Sequence, residues 1–334
     1  MQFRENLHRY RNEIKGIAIL WVVFFHAKLG LTSGVLYEIQ KIGYGGVDIF
    51  LFLAGFGLYH SLQQSNDMRA YLSRRMRRLL PAYLPFCLCW LAVMLPLENL
   101  GTVQSIRMAA GNLLMLGYFA NVPRMISWYI SLYAVVILLA PLLFACLSRA
   151  KKPALTLLAL LAAAIGLGFC FLFDERYMAV SRLPILILGM AAAMPHQKAQ
   201  KEWHAAAVGG IAFAVGYLAL SYSFSFPSLL SDYGMYWHPF FLMVPGLCAA
   251  FGWLLQKAKR FAKAFAPLRF LGEASFEIFL FNCWMEVVCK RYHLAGDPLS
   301  WALWSLGSIA AGCCYHVLVK AVLKAWRRKK QILA

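Results

Sequence analysis

Charged side chains are scarce in this chain of 334 residues. Asp, Glu, Lys and Arg together make up 14% of the residues, whereas soluble domains carry about 25%. So few charges cannot cover a surface that faces water, and 61% of the residues are hydrophobic. The scarcity of charge therefore excludes an ordinary soluble protein and predicts that lipid is the solvent.

Motifs that hold metals or cradle nucleotides are also missing. The sequence contains no HExxH, no Cys–His set and no carboxylate cluster with metal spacing. It has no GxSxG nucleophile elbow and no glycine-rich phosphate loop. The nine cysteines lie in apolar runs without zinc or disulfide spacing, so we expect most to be small buried hydrophobes. No metal site is expected.

Long apolar runs fill the chain instead. A spanning helix needs roughly 20 apolar residues. The first run lacks a small-residue cleavage site, so we interpret it as a span and not as a cleaved signal. The sequence predicts an all-α integral membrane protein of one domain, 1–334, with a re-entrant or interfacial segment near 104–122. The ten predicted spans are about 14–31, 43–62, 79–96, 127–147, 154–173, 181–195, 203–222, 236–256, 272–290 and 299–323.

Positive charge is distributed unevenly between the two sides that these spans define. The chain has 33 Lys and Arg against 14 acidic residues. Most lie on the side of the two termini, which the positive-inside rule identifies as cytoplasmic. The excess therefore indicates contact with membrane lipid and not with nucleic acid, in a multi-pass protein of the inner (plasma) membrane. The other side holds only Lys28, Lys41, Arg107, Arg124, Arg176, Arg182, Lys290 and Arg291.

Two ionisable residues share one face of the first predicted span. Lys15 and His26 are eleven positions apart, and eleven helical steps of about 100° return almost to the same direction. They are separated by about 16 Å along the axis. Such a face is typical of a polar tunnel, because ionisable groups inside a membrane are costly. The alternative is a core histidine bonded to a neighbouring helix.

A carboxylate is expected at a similar depth in the second span. Asp48 lies near its non-cytoplasmic end, where antiparallel packing brings it level with His26. A carboxylate there can fix the imidazole tautomer and raise its basicity. The alternative is that Asp48 caps the helix start. Other polar groups in spans are explained equally well by hydrogen bonds between helices: His60, His238, Glu273, Glu277, Asn282, Glu286 and His316.

Several segments, in chain order, resemble signatures of the membrane acyltransferase-3 family. Its first-helix motif, Arg or Lys, ten residues and then His, is matched by Lys15 and His26. Its cytoplasmic Arg-x-x-Arg motif ahead of a proline is matched by Arg75, Arg78 and Pro81. Further segments that resemble family signatures are 46–55, 128–130, 182–189 and 271–280.

The chain also departs from the family pattern. Lys15 stands where Arg is common, and no carboxylate follows Ser131 and Leu132 as it does in many members. Asn282 stands where the ninth-span segment often has His. These departures bear on the acceptor more than on the type of reaction.

The resemblance implies an O-acyltransferase of about ten spans. Such enzymes move an acyl group, usually acetyl from cytoplasmic acyl-CoA, to a hydroxyl of a carbohydrate or cell-envelope glycan. It implies His26 as general base and Asp48 as the residue that orients it. It assigns acyl-CoA binding to Lys15, Arg75 and Arg78. The residues assigned to acceptor binding are Trp128, Tyr129 and Arg182.

Two other classes of function are compatible with the sequence. A transporter or flippase of a small anion or lipid-linked sugar would also need many spans and a polar tunnel, although no internal duplication is visible. A membrane sensor or scaffold is the third class, but it gives no reason for a buried His26. The acceptor, the acyl chain, an acyl-histidine intermediate and the oligomeric state stay open.

Overall fold

The protein is built from α-helices. The computed structural model describes residues 2–64, 67–195, 202–226, 228, 234–294 and 296–332, and within these ranges no residue lies in a β-strand. The predicted all-α fold is therefore confirmed. In chain order the helices are α1 (Gln2–Arg9), α2 (Arg11–His26), α3 (Gly34–Lys41), α4 (Gly46–Gln63), α5 (Met68–Glu98), α6 (Thr102–Leu113), α7 (Trp128–Ser148), α8 (Pro153–Cys170), α9 (Tyr177–Val180), α10 (Leu183–Ala193), α11 (Glu202–Phe224), α12 (Pro239–Lys257), α13 (Ala266–Glu273), α14 (Ser275–Tyr292) and α15 (Pro298–Ile332).

Long apolar helices give the chain the character of an integral membrane protein. Seven helical segments in the described ranges are long and apolar enough to cross a membrane, judged by length and composition. Each of them overlaps one of the ten predicted spans. They are Gly43–Gln63, Met68–Glu98, Trp128–Ser148, Pro153–Cys170, Ala207–Phe224, Pro239–Lys257 and Pro298–Arg328.

The other three predicted spans coincide with helices that are shorter or more charged. α2 has 16 residues and α10 has 11, and α14 has 18 but carries two Glu, one Lys and one Arg. α2 and α14 include polar positions that the sequence analysis singled out, and these lower their apolarity. The number of ten spans and the cytoplasmic location of both termini stay predictions.

The segment 104–122 contains α6 and an irregular loop. α6 has 12 residues, which rise about 18 Å and cannot cross a hydrocarbon core of about 30 Å. Tyr83 of α5 donates a hydrogen bond of 2.5 Å to the carbonyl of Asn112, and the amide of Asn112 donates to the carbonyl of Met108. The side-chain oxygen of Asn112 accepts from the amide of Ile126. α6 and the following loop are thus tied to α5, and their interfacial or re-entrant location stays a prediction.

The backbones of α4 and α10 touch. A Cβ atom at Gly55 would overlap the carbonyl oxygen of Leu186, and one at Gly189 would overlap the carbonyl oxygen of Phe52. Only glycine permits such an approach, which is a common way for helices to pack where lipid provides no hydrophobic drive. The contact places the start of α10 beside the start of α4.

α2, which carries Lys15 and His26, lies between α4, α13 and α14. Gly46 of α4 contacts the carbonyl of Ala18, and Gly272 of α13 contacts the carbonyl of Asn12, at distances that a Cβ would prevent. An ion pair joins α2 to the segment of α13, with Arg269 Nη2 at 2.7 Å from the buried carboxylate of Glu13. α2 is therefore enclosed by protein along most of its length.

Candidate functional site

His26 ends α2, and a carboxylate from α14 lies against it. The His26 Nδ1 atom is 2.8 Å from Glu286 Oε2, and the two side chains are 26% and 23% exposed. The Glu286 Oε1 atom lies 2.5 Å from Nζ of Lys290, one turn further along α14. A carboxylate at Nδ1 accepts the proton on that nitrogen, so Nε2 is left as the basic nitrogen.

Asp48, the predicted partner of His26, lies against Arg182 instead. The Arg182 Nε atom is 3.0 Å from Asp48 Oδ1, and the two side chains are 2% and 0% exposed. The predicted pairing of Asp48 with His26 is therefore wrong. A buried guanidinium needs an opposite charge where the dielectric constant is low, and Asp48 supplies it. Similar depth was the basis of the prediction, but depth does not define the direction in which a side chain leaves α4.

Arg182 is also enclosed by aromatic rings. Its guanidinium carbon lies 4.7 Å from the ring centroid of Trp128 and 5.7 Å from that of Trp237, both within the range of cation–π contacts. Its Nη1 atom donates a hydrogen bond of 2.8 Å to the carbonyl of Met178. The structure thus brings together Trp128 and Arg182, two of the three residues predicted to bind the acceptor.

Tyr129, the third of these residues, faces a different neighbour. Its ring packs edge-on against Phe279 of α14, with centroids 5.2 Å apart, and stacks on Tyr133 at 6.2 Å. Trp128 and Tyr129 are consecutive in α7, so they leave the helix about 100° apart. Tyr129 therefore lines the side of α7 that faces α14.

A row of aromatic rings connects His26 to the Arg182 cluster. Phe25 packs edge-on against both His26 and Tyr44, with centroids 5.1 and 5.4 Å apart. Tyr44 stacks on Tyr236 at 4.2 Å and donates a hydrogen bond of 2.7 Å to its carbonyl. Tyr44 also lies within electrostatic range of Arg182. We call this group, with Trp128 and Trp237, the aromatic cluster.

The loops around residues 118 and 174–176 are held by polar contacts close to the aromatic cluster. The hydroxyl of Tyr118 donates to the carbonyl of Glu175, and burial raises the pKa of Tyr118 to about 12. Asp174 accepts hydrogen bonds from Arg176, which lower the pKa of Asp174 to about 2. Tyr118 is therefore neutral and Asp174 ionised near neutral pH, so these contacts do not change there.

Cationic side chains gather at the other end of α2. Lys15 lies within electrostatic range of Arg11, Arg75 and Arg78, and the acidic side chain of Glu273 also acts on it. Arg75 is 8% exposed, Lys15 and Arg11 are half-buried, and Arg78 is exposed. We call Arg11, Lys15, Arg75 and Arg78 the cationic cluster. Such a concentration of positive charge attracts anions.

Arg75 and Arg11 meet at one position of α4. The Nη2 atom of Arg75 donates a hydrogen bond of 3.2 Å to the carbonyl of Gly57, and the Arg11 guanidinium occupies the space that a Gly57 side chain would need. Nε of Arg75 and Nε of Arg11 are buried without a hydrogen-bond partner in the described structure. Buried donors are nearly always paired, so these two atoms have unused capacity to donate hydrogen bonds.

α2 connects the cationic cluster to the His26–Glu286 pair. Lys15 and His26 both belong to this helix, whose rise places them about 16 Å apart.

Residues 12–318 match the family model of the acyltransferase-3 family, described as an acyltransferase domain. The chain belongs to this acyltransferase-3 family. No match was found among curated proteins or among solved structures. Its family and its apolar helices make it a membrane acyltransferase.

In the part of the chain that the structure describes, no three His, Cys, Asp or Glu side chains are arranged to hold a metal ion. The groups that the described residues bring together are an imidazole with its carboxylate, the cationic cluster and the aromatic cluster.

Glu286 is the residue of this acyltransferase-3 site that sequence reasoning undervalued. It was one of several polar groups inside predicted spans that hydrogen bonding between helices explained equally well. Glu286 and Lys290 are four residues apart, so they lie on the same face of α14. Nothing in the sequence indicates that this face contacts His26. Arg11 was grouped with the ordinary cytoplasmic cations, because its approach to Gly57 depends on how α2 packs against α4.

Proposed function

We propose that this acyltransferase-3 protein is a multi-pass O-acyltransferase of the cell inner (plasma) membrane. It would transfer an acetyl or other short acyl group from cytoplasmic acyl-CoA to a hydroxyl of a carbohydrate or cell-envelope glycan. The observation that carries the proposal is the contact of 2.8 Å between His26 Nδ1 and Glu286 Oε2. It lies at the opposite end of α2 from Arg11 and Lys15, two members of the cationic cluster.

The cationic cluster supports binding of acyl-CoA. Guanidinium groups offer paired donors to phosphate oxygens, and the buried Nε atoms of Arg75 and Arg11 have no hydrogen-bond partner among the described residues. Lys15 lies one turn beyond Arg11 along α2, so it can attract the phosphate that is nearest the pantetheine arm. The arm then has about 16 Å to cover between Lys15 and His26, which follows from the rise of α2.

The chemistry proposed for His26 is general-base catalysis. The Nδ1–H group of His26 donates a hydrogen bond to Glu286 and keeps its proton. The Nε2 atom of His26 then takes the proton from the acceptor hydroxyl. The hydroxyl oxygen attacks the thioester carbonyl, and the C–S bond breaks. The thiolate of CoA leaves and takes the proton from His26, which returns the imidazole to its starting form. Glu286 stabilises the imidazolium that forms between these steps.

The aromatic cluster supports binding of the acceptor. Aromatic rings with a few polar groups are typical of sites that bind polar organic ligands. Trp128 and Trp237 offer ring faces next to Arg182, and Phe25 and Tyr44 connect them to His26. An acceptor hydroxyl bound along this row would be presented to Nε2 of His26.

The experiment that tests this function measures thioester turnover by the purified protein in detergent. Acetyl-CoA hydrolysis or transfer is compared between wild type, His26→Ala and the double variant Arg75→Ala/Arg78→Ala. We expect His26→Ala to lose turnover and keep acetyl-CoA binding, and the double variant to bind acetyl-CoA more weakly. The proposal is rejected if the wild-type protein neither binds nor consumes acetyl-CoA and the His26→Ala variant gives the same result.

A matched control comes from a second His–Glu pair. His316 Nδ1 lies 3.0 Å from Glu277 Oε1, and both side chains are at least nine-tenths buried. His316→Ala removes the same kind of pair without touching α2. We expect this control to change stability and to keep turnover per folded molecule.

A further inference from the structure

A second group of basic side chains lies next to the cationic cluster, and no motif accounts for it. α1 carries Arg4 and His8, and the last turn of α4 carries His60. The rings of His8 and His60 meet edge-on with centroids 6.4 Å apart. Arg4, His8 and Arg11 all lie within electrostatic range of His60.

Arg4 and Arg11 bring two positive charges to this group. Both lie within electrostatic range of His60, whose hydrogen-bonding neighbour is the neutral side chain of Gln63. Nε of Arg4 is buried without a hydrogen-bond partner in the described structure. The guanidinium groups of Arg4 and Arg11 repel each other, and an anion bound between them removes the repulsion, with the imidazoles of His8 and His60 as further hydrogen-bond donors.

The two cationic groups follow one another along the same two helices. Gly57, where Arg11 and Arg75 meet, is one turn before His60 in α4, a rise of about 5 Å. Lys15 and Arg11 are one turn apart in α2, a rise of about 6 Å. Arg11 belongs to both groups, so the positive charge continues from Lys15 through Arg11 to Arg4, beside His60.

We infer that Arg4, His8 and His60, together with Arg11, form a separate phosphate subsite, and that it binds the 3′-phosphate of coenzyme A. Coenzyme A carries a pyrophosphate and, apart from it, a phosphate on the ribose. The cationic cluster nearest the pantetheine path would take the pyrophosphate, and the second group the ribose phosphate. This inference rests on the proposed function, because it divides the same donor between two neighbouring sites.

Two classes of acyl donor would occupy these two groups differently. A phosphopantetheine arm attached to a carrier protein has a single phosphate and would fill only the cationic cluster. A free coenzyme A thioester fills both groups. A phosphate subsite at Arg4, His8 and His60 therefore makes the enzyme specific for the nucleotide thioester.

The test compares coenzyme A with 3′-dephospho-coenzyme A, which lacks only the ribose phosphate. Equilibrium binding of both compounds is measured with the full chain in nanodiscs of zwitterionic lipid. We expect wild type to bind coenzyme A about tenfold more tightly, the usual range for charge-assisted contacts to one phosphate. In Arg4→Gln and His60→Gln this preference should disappear, with binding of the dephospho compound unchanged.

Two further variants make the comparison specific. Arg4→Lys keeps the charge and should recover part of the preference. Arg327→Gln removes an exposed cation near the end of α15 and should keep the whole preference. Because unchanged binding of 3′-dephospho-coenzyme A itself reports a folded site, a variant that merely unfolds is recognised at once.

Three results would overturn the inference. Wild type could bind both compounds equally, or Arg4→Gln could weaken both by the same factor. A third is that Arg4→Gln reduces binding of anionic lipid in nanodiscs and keeps the coenzyme A preference, which would assign the subsite to a lipid headgroup phosphate. Failure of wild type to bind either compound is a different result, because it rejects the proposed function as well.

Discussion

Replacing Glu286 by glutamine tests the role of the carboxylate at His26. The substitution keeps the size of the side chain and removes its charge. The N–O distance of 2.8 Å places the charge centres of an ionised pair about 4 Å apart, where two unit charges interact by about 4 kcal/mol at an effective dielectric constant of 20. Both side chains are about one quarter exposed, and solvent screens their interaction. We therefore expect about half of this interaction energy, about 2 kcal/mol, to be lost in Glu286→Gln.

A loss of about 2 kcal/mol in the transition state lowers turnover roughly 30-fold. The affinity for acetyl-CoA should not change, because the proposed phosphate site lies about 16 Å from His26 along α2. The assay is steady-state transfer with kcat and the donor KM determined separately. Glu277→Gln is the matched control, since it removes the other carboxylate of α14 that pairs with a histidine. If Glu286→Gln keeps the wild-type kcat, or if Glu277→Gln loses as much, the assignment of Glu286 is refuted.

Three further predictions concern the rest of the site and the packing that supports it. Asp48→Asn leaves the Arg182 guanidinium buried without its counter-charge, so we expect a loss of about 3–5 kcal/mol in thermal or denaturant unfolding, and an unchanged midpoint would contradict the ion pair. Gly189→Ala forces α10 away from α4 and should cost about 1–3 kcal/mol, whereas Gly166→Ala, which meets no neighbouring atom in the described structure, should not lower the melting temperature. Trp128→Ala should raise the KM for the acceptor roughly tenfold or more and keep donor affinity, as kinetics with each substrate varied in turn would show.

The hydrophobic pattern predicted much of the fold because backbone hydrogen bonding inside lipid leaves few choices. A long apolar run must close its own hydrogen bonds, and a helix does so within one segment. Seven predicted spans therefore overlap helices of spanning length. The same pattern is weaker for α2, α10 and α14, whose polar residues or short length reflect their position around the site.

Within one helix the sequence also defined geometry. Lys15 and His26 share a face of α2 because the helical repeat is a local property, and the family signatures led to Arg75 and Arg78 at the same end as Lys15. The catalytic and binding roles assigned to these residues stay predictions. Their placement along α2 needed no knowledge of any other helix.

The contacts between helices were decided only by the tertiary structure. His26 pairs with Glu286, which is 260 positions away in the sequence, and Asp48 pairs with Arg182 across the close approach of α4 and α10. Which helices become neighbours depends on small residues such as Gly55 and Gly189, and on the rotation that each helix adopts when it packs. Hydropathy gives the depth of a side chain in the membrane, and it does not give its direction. The sequence by itself therefore determined that the chain is a membrane acyltransferase with a histidine and a cation on one helix face. Helix packing decided which carboxylate contacts that histidine.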